Sequence, residues 1–320
     1  MKKHFLFTLK IIMSGSILIY LFKIIPFSEI LSSLKSAEIS LVLLGIMLAV
    51  PIVCLSAVET QYLMKVQGMF LSVIGIIKIN LATNFYGFFL PGALSGGAIK
   101  WHKLSKHGSK YNAAAIVVFN RFLEILMILL IGIFCYSQIL YISDSHKLFF
   151  VFLFLVIVYL LLLNKRTLDH IEIIIRHLLL PRFIKEKAGK FMTSMKQFRK
   201  LCLIDHFKII GLLLLYHGIG IISFYCFAKS LNIDINIWEV GWVRSATSIS
   251  VMIPLFFAGL GIREGVLVFL LGQYGVLPND SIALSFLLLL RNLLSLSVGG
   301  IFEFKEFVLE RNTEEISHAE

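Results

Sequence analysis

Ionisable residues stand in this chain where an apolar sequence tolerates them least. Arg121 and Glu124 lie three apart inside the run Asn112–Leu140, and Arg291 precedes Asn292 inside Ser281–Phe304. Arg263 and Glu264 are adjacent in Gly259-Leu260-Gly261-Ile262-Arg263-Glu264. A charge at the centre of a bilayer costs at least about 2.5–3.5 kcal/mol on insertion scales, so each is a functional candidate by default. Arginine suits phosphate: its planar fork binds bidentately and its charge survives burial. Arg121 and Glu124 can also pair along one helix face, and the competing role for Arg121, Glu124 and Arg291 is a structural ion network tying the hairpins to the spans. The glycines have a matching use. Pro91, Gly92, Gly96 and Gly97 in one segment, and Gly259 and Gly261 in the other, would let backbone N–H groups approach an anion at a half-helix N-terminus. Small residues equally serve tight helix packing. Gly96-Gly97-Ala98-Ile99-Lys100 lacks the spacing of a P-loop.

Other chemistry is scarce. The sequence contains no H-E-x-x-H, D-x-D or G-x-S-x-G. His102 and His107 are five apart on a basic loop and share no helical face. His217, beside Tyr216 in an apolar run, reads as a satisfied core histidine, and Glu59 as a side chain snorkelling from a span end. Cys54, Cys135, Cys202 and Cys226 form no C-x-x-C pair and read as small buried hydrophobes. No metal, cofactor or catalytic residue is expected.

Positioning such charges requires spans. The chain is 58% hydrophobic and only 15% charged, against about a quarter charged in soluble proteins, and its mean hydropathy is +0.89. That excludes a soluble enzyme, a disulfide scaffold and a disordered tail. Six apolar runs match a bilayer core of about 30 Å: Phe7–Ile25, Ser40–Val58, Asn112–Leu140, Leu148–Leu163, Phe207–Ala228 and Ser281–Phe304. The first is a retained span with a cytoplasmic N-terminus, because Lys10 and Lys23 bracket it and no cleavage site follows. Two further runs are interrupted: Ile79–Ile99 by glycines and Pro91, and Val243–Val276 by Pro254, Gly259, Gly261 and Gly265.

The net charge of +11 follows the positive-inside rule, not nucleic-acid binding. Residues 165–208 carry eleven Lys and Arg against four acids, and Lys100, Lys103, Lys106 and Lys110 are also basic. Both segments and the N-terminus share the cytoplasm only if Ile79–Ile99 enters and returns. Irregular backbone at that depth must be enclosed by protein or line a cavity. Within 165–208 the stripe Ile184, Ala188, Phe191, Met192, Met195, Phe198 and Leu201 predicts a basic amphipathic helix on the cytoplasmic leaflet.

The order of elements repeats: two spans, a re-entrant segment, then a span carrying an arginine (Arg121, Arg291). Three full spans in the first half invert the second. The expected fold is therefore all-α: a polytopic membrane helix bundle of about six spans and two re-entrant hairpins in an inverted repeat, the pattern of alternating-access transporters. Residues 1–308 form one transmembrane domain, with repeats of about 7–140 and 148–304, and 309–320 a polar tail.

The strings Leu90-Pro91-Gly92-Ala93-Leu94-Ser95-Gly96-Gly97-Ala98-Ile99-Lys100, Arg121-Phe122-Leu123-Glu124, Gly259-Leu260-Gly261-Ile262-Arg263-Glu264-Gly265 and Leu290-Arg291 resemble the lysylphosphatidylglycerol synthase transmembrane-region family over about residues 8–308. That family includes the flippase half of the multiple peptide resistance factor. The resemblance implies a multi-span inner-membrane protein handling lipids with phosphate head groups. The chain ends at Glu320 without a soluble synthase domain, so aminoacyl transfer is not carried over. The expected function is a flippase-like translocator of an anionic phospholipid or polyprenyl-phosphate-linked lipid. The alternatives are a membrane-embedded transferase and an accessory subunit partnering a synthase or glycosyltransferase.

Overall fold

Caps decide where the helices begin. The computed structural model describes residues 23, 25–89, 95–139, much of 150–177, 181–252 and 259–317. In chain order the helices are α1 (Phe27–Lys35), α2 (Ile39–Met47), α3 (Ala49–Val66), α4 (Val73–Phe89), α5 (Ser95–Ser105) and α6 (Lys110–Ile139). They continue as α7 (Lys165–His177), α8 (Arg182–Gln197), α9 (Leu203–Ser230), α10 (Ile237–Met252), α11 (Ile262–Gly272) and α12 (Pro278–Ser317). The apolar run expected from Ile79 is helical from Val73, because the Ser72 hydroxyl accepts the Gly75 N–H at 3.1 Å. The run expected from Val243 is helical from Ile237. There Asn236 Oδ1 accepts the N–H groups of Trp238 (2.9 Å) and Glu239 (3.0 Å), and Glu239 returns a bond to the Asn236 N–H, a reciprocal cap.

Four helices are long and apolar enough to cross a membrane: Ile39–Val66 (α2 running into α3), α6, α9, and α12 as far as Lys305. They correspond to four of the six expected spans, and the chain is a multi-pass membrane protein. Phe7–Ile25 lies almost wholly outside the described residues. In Leu148–Leu163 the described residues from Phe150 to Leu161 are helical.

Both interrupted runs form helix pairs, α4 with α5 and α10 with α11, whose arms pack on each other. Their packing is reciprocal. The first arm of the first pair lies on α12, at the far end of the chain, and the first arm of the second pair lies on α6. Each second arm stays with its own half, α5 on α6 and α11 on α12. Small residues permit both crossings. A Cβ on Gly299 would collide with the Leu81 carbonyl oxygen of α4, and one on Gly132 would meet Ser245 of α10 at 2.9 Å.

The two basic segments sit at one end. Asn112 and Gln67 both bond to Ser194, through Ser194 Oγ at 2.7 Å and the Ser194 carbonyl at 2.9 Å. At the opposite end Ser33 donates to Asp280 at 2.7 Å and the Glu38 N–H to the Ser230 carbonyl. The predicted amphipathic helix exists as α8, but much of its stripe packs on protein. Met192, Phe198 and Leu201 are buried and Phe191 and Met195 join the core, while Ile184 stays exposed. Lys196 fastens α8 to α7 through Asp169 and Glu172, each at 2.6 Å. The cysteine reading holds for Cys135 and Cys226. Cys54 and Cys202 are exposed, and all four are free.

The apolar core is divided. One cluster gathers Ala57, Leu104, Phe119, Phe198 and Leu213, the other Val42, Phe227, Val243, Leu271 and Ile282. Along α9 the division falls between Leu213 and Phe224, where His217, Gly220 and Ser223 are buried.

Candidate functional site

Polar and charged side chains fill the division between the two cores. In the first half, the sequence places a carboxylate on α3, an amine on α5 and an amide on α6, and the packing of those helices brings them together. Lys100 Nζ donates to Asn120 Oδ1 at 2.9 Å and to Thr60 Oγ1 at 3.1 Å, and Asn120 Nδ2 donates to Glu59 Oε1 at 2.9 Å. Asn120 thus spans an amine and a carboxylate. All four residues are buried. Arg121 Nη1 pairs with Glu124 Oε2 at 3.1 Å, as its spacing predicts, yet 52% of the Arg121 side chain remains uncovered. Glu124 lies in electrostatic range of both Lys100 and Glu59.

In the second half, Gly261 begins α11 with φ +86°, a conformation that favours glycine. Its N–H donates to Glu264 Oε2 at 2.7 Å. Glu264 Oε1 accepts from Arg263 Nη2 (2.7 Å) and Nε (3.1 Å) and from Ser285 Oγ (2.7 Å). The Arg263–Glu264 pair is therefore buried and closed on itself. Arg291 is anchored differently: its Nη1 donates to Ser223 Oγ at 3.0 Å, and Ser223 donates to the Gly45 carbonyl. Arg244, on α10, reaches across α9. Its Nη2 fills the space a Cβ on Gly220 would need, and its Nη1 stands 3.5 Å from His217 Nδ1.

Tyr216 joins the halves, because it lies in electrostatic range of Glu59 and Glu124 on one side and of Arg244 and Arg291 on the other. Arg291 in turn feels both Arg244 and Arg263. Among the described residues this belt holds five cations (Lys100, Arg121, Arg244, Arg263 and Arg291) against three carboxylates (Glu59, Glu124 and Glu264). Neither Arg244 nor Arg291 has a carboxylate partner there.

Of the residues expected to act, Arg263 and Glu264 pair, Arg291 lies in electrostatic range of Arg263, and Glu124, the partner of Arg121, lies in range of Tyr216. The glycines do other work. Gly96 packs close to Thr83 and Gly87, a Cβ at Gly97 would meet only Val117, at an ordinary 3.7 Å, and the Gly261 N–H is already committed to Glu264. Gly259, at φ +72°, turns the chain into α11. Pro91, Gly92 and Pro254 lie outside the described residues. Two sequence readings are corrected. Glu59 does not snorkel: it is 3% exposed, because Asn120 offers it a buried donor. His217 is not a satisfied core histidine: its Nε2 is buried without a hydrogen-bond partner. Sequence reasoning missed Arg244, Lys100 and Asn120. The available signal for Arg244 was a lone cation in an apolar arm, diluted by the serines and threonine that follow it.

Among curated proteins none matches the chain. A family model does: residues 7–300 match the lysylphosphatidylglycerol synthase TM region. That span covers most of the sequence, including every charged residue of the belt, and this chain belongs to the lysylphosphatidylglycerol synthase TM-region family.

Proposed function

We propose that this protein translocates an anionic, phosphate-bearing lipid in the manner of a flippase, holding the head group at mid-membrane between Arg244 and Arg291. One observation carries the reading: both guanidinium groups stand in the interior of the bundle without a carboxylate partner among the described residues. An uncompensated cation at that depth is costly. A phosphodiester anion supplies the missing charge and accepts the paired donors of arginine. An anionic phospholipid and a polyprenyl-phosphate-linked lipid both present that group. The half-uncovered Arg121 suits a water-filled vestibule, since intramembrane charges face a bundle interior or a cavity.

Two further features support it. An apolar cleft of about 480 Å³ lies between α6 and α9, lined by Leu126, Leu130, Phe134, Ile210 and Leu214. The Tyr159–His206 hydrogen bond, 2.6 Å, stands on its wall. This is a place for a hydrocarbon tail. The exchange of first arms gives each half a contact that can be remade as the halves rock, as alternating access needs. We place the protein in the cell inner (plasma) membrane, with the basic end and the N-terminus cytoplasmic.

The test is transfer of fluorescent phosphatidylglycerol and phosphatidylcholine across proteoliposome leaflets. The intact protein is expected to move the anionic lipid preferentially. Arg244→Ala and Arg291→Ala should each slow it at least about tenfold, the worth of one charge-assisted hydrogen bond. Wild-type rates in both variants would refute the site. Absence of transfer together with formation of a modified lipid would favour a transferase.

A further inference from the structure

A second cavity, of about 550 Å³, opens at the basic end of the bundle, between the start of α4, the turn after α5 and the end of the apolar part of α12. Its polar lining is Lys78, Lys103, Lys106, His107, Lys305 and Glu303. Glu303 holds Lys103 at 2.7 Å, and Lys78 lies over the Phe302 ring at 5.7 Å. Four ammonium groups thus surround one carboxylate, and Lys78, Lys106 and Lys305 remain exposed. Leu71, Ile79 and Phe302 make its apolar wall.

Position separates this cavity from the arginine belt. Glu303, Lys305 and Glu306 end the apolar run of α12 and so mark the membrane–water boundary. Lys305 lies about 20 Å along that helix from Arg291, at 1.5 Å per residue. A phosphate held among these lysines cannot also touch Arg291. The residue types differ as well. Lysine presents a hydrated point charge on a flexible stem, which attracts an anion without fixing its orientation. A basic rim over an apolar wall matches an amphiphile lying at the interface.

We infer that this cavity is a separate binding site for a phosphate anion, seated at the basic end of the protein. The shared chemistry is a phosphate mono- or diester, whether on a lipid head group or in solution. The site does not rest on translocation, because its residues lie outside the belt.

The experiment is native mass spectrometry of the full chain, carried out in an Arg244→Ala/Arg291→Ala background so that the head-group site proposed between those two arginines cannot supply the binding. Phosphatidylglycerol is expected to be retained at least about tenfold over phosphatidylcholine, a modest result for several lysines near an interface. Lys106→Glu/Lys305→Glu should abolish that preference. Lys78→Ala/Lys106→Ala, which leaves the Lys103–Glu303 pair intact, should weaken it in the same direction and decides the matter if the charge reversal fails to fold. Displacement by millimolar inorganic phosphate identifies the free anion as sufficient. Retention of phosphatidylglycerol against that phosphate identifies the lipid. Equal retention of both lipids, or undiminished preference in both lysine variants of folded protein, overturns the site.

Discussion

Replacing Glu264 with alanine should be the most damaging single change in the charged belt. The carboxylate is 2% exposed and takes four hydrogen bonds, from the Gly261 N–H, from Arg263 twice and from Ser285. Its loss leaves the Arg263 charge buried and unpaired, which costs roughly 3–5 kcal/mol, and removes the cap of α11, worth about 1 kcal/mol. Against a usual total of about 5–15 kcal/mol, that is about a quarter or more of the stability. Glu124→Ala is the control. Its partner Arg121 is half uncovered, so the loss should stay within about 1 kcal/mol. Equilibrium unfolding in mixed micelles of increasing SDS fraction reads both. Arg263→Met/Glu264→Leu should recover about half of the loss, because an apolar pair removes the stranded charge but leaves the Gly261 N–H and the Ser285 hydroxyl unsatisfied. An alanine variant as stable as Glu124→Ala, or a double variant no better than the single one, would refute the reasoning.

Four other outcomes follow from the geometry. Arg291→Lys keeps the charge but loses the fork, so lipid transfer should fall while the protein inserts and melts normally. Gly299→Ala forces a Cβ against the Leu81 backbone and should destabilise by about 1–3 kcal/mol; Gly211→Ala, in open space on α9, should be neutral or slightly stabilising, and micelle unfolding distinguishes them. Cysteines introduced one at a time into residues 100–110 and 182–200, in a background without the native four, should be labelled from the same face of the membrane, as the contacts of Ser194 with Asn112 and Gln67 require. The Asp169 and Glu172 carboxylates hold the Lys196 ammonium above its ordinary range. A raised lysine pKa stabilises below the unfolded value and is lost as pH rises through the folded one. The protection factor of the α7 amides, with the intrinsic base-catalysed rate divided out, should therefore be flat from neutrality to about pH 10 and fall only beyond the lysine range near 10.4, while Lys196→Met should show the lower protection already at neutral pH.

How much of this was readable depends on which interactions are local. Hydropathy over some twenty residues identifies a span whatever surrounds it, because the bilayer sets the length. The four long helices were legible for that reason. The break at Gly259 and Gly261 was legible because it interrupts that length. Arg121 and Glu124 pair by helical spacing alone, and Arg263 with Glu264 by adjacency. Helix starts were less clear: Ser72 and Asn236 lengthen the two first arms by side-chain caps that hydropathy does not register.

Tertiary structure alone decided which half each arm joins. Nothing local tells α4 to pack on α12 and α10 on α6; that follows from glycines such as Gly299 and Gly132, whose partners lie far away in the sequence. The exchange in turn settles the belt. It carries Arg244 across to Gly220 and His217, buries Lys100 with Glu59 through Asn120, and leaves Arg244 and Arg291 without carboxylates among the described residues. A sequence shows that a charge stands in an apolar run. Whether that charge is paired, capped or left uncompensated depends on which groups the fold sets within a few ångströms of it, because only at that range, shielded from water, does electrostatic attraction repay desolvation.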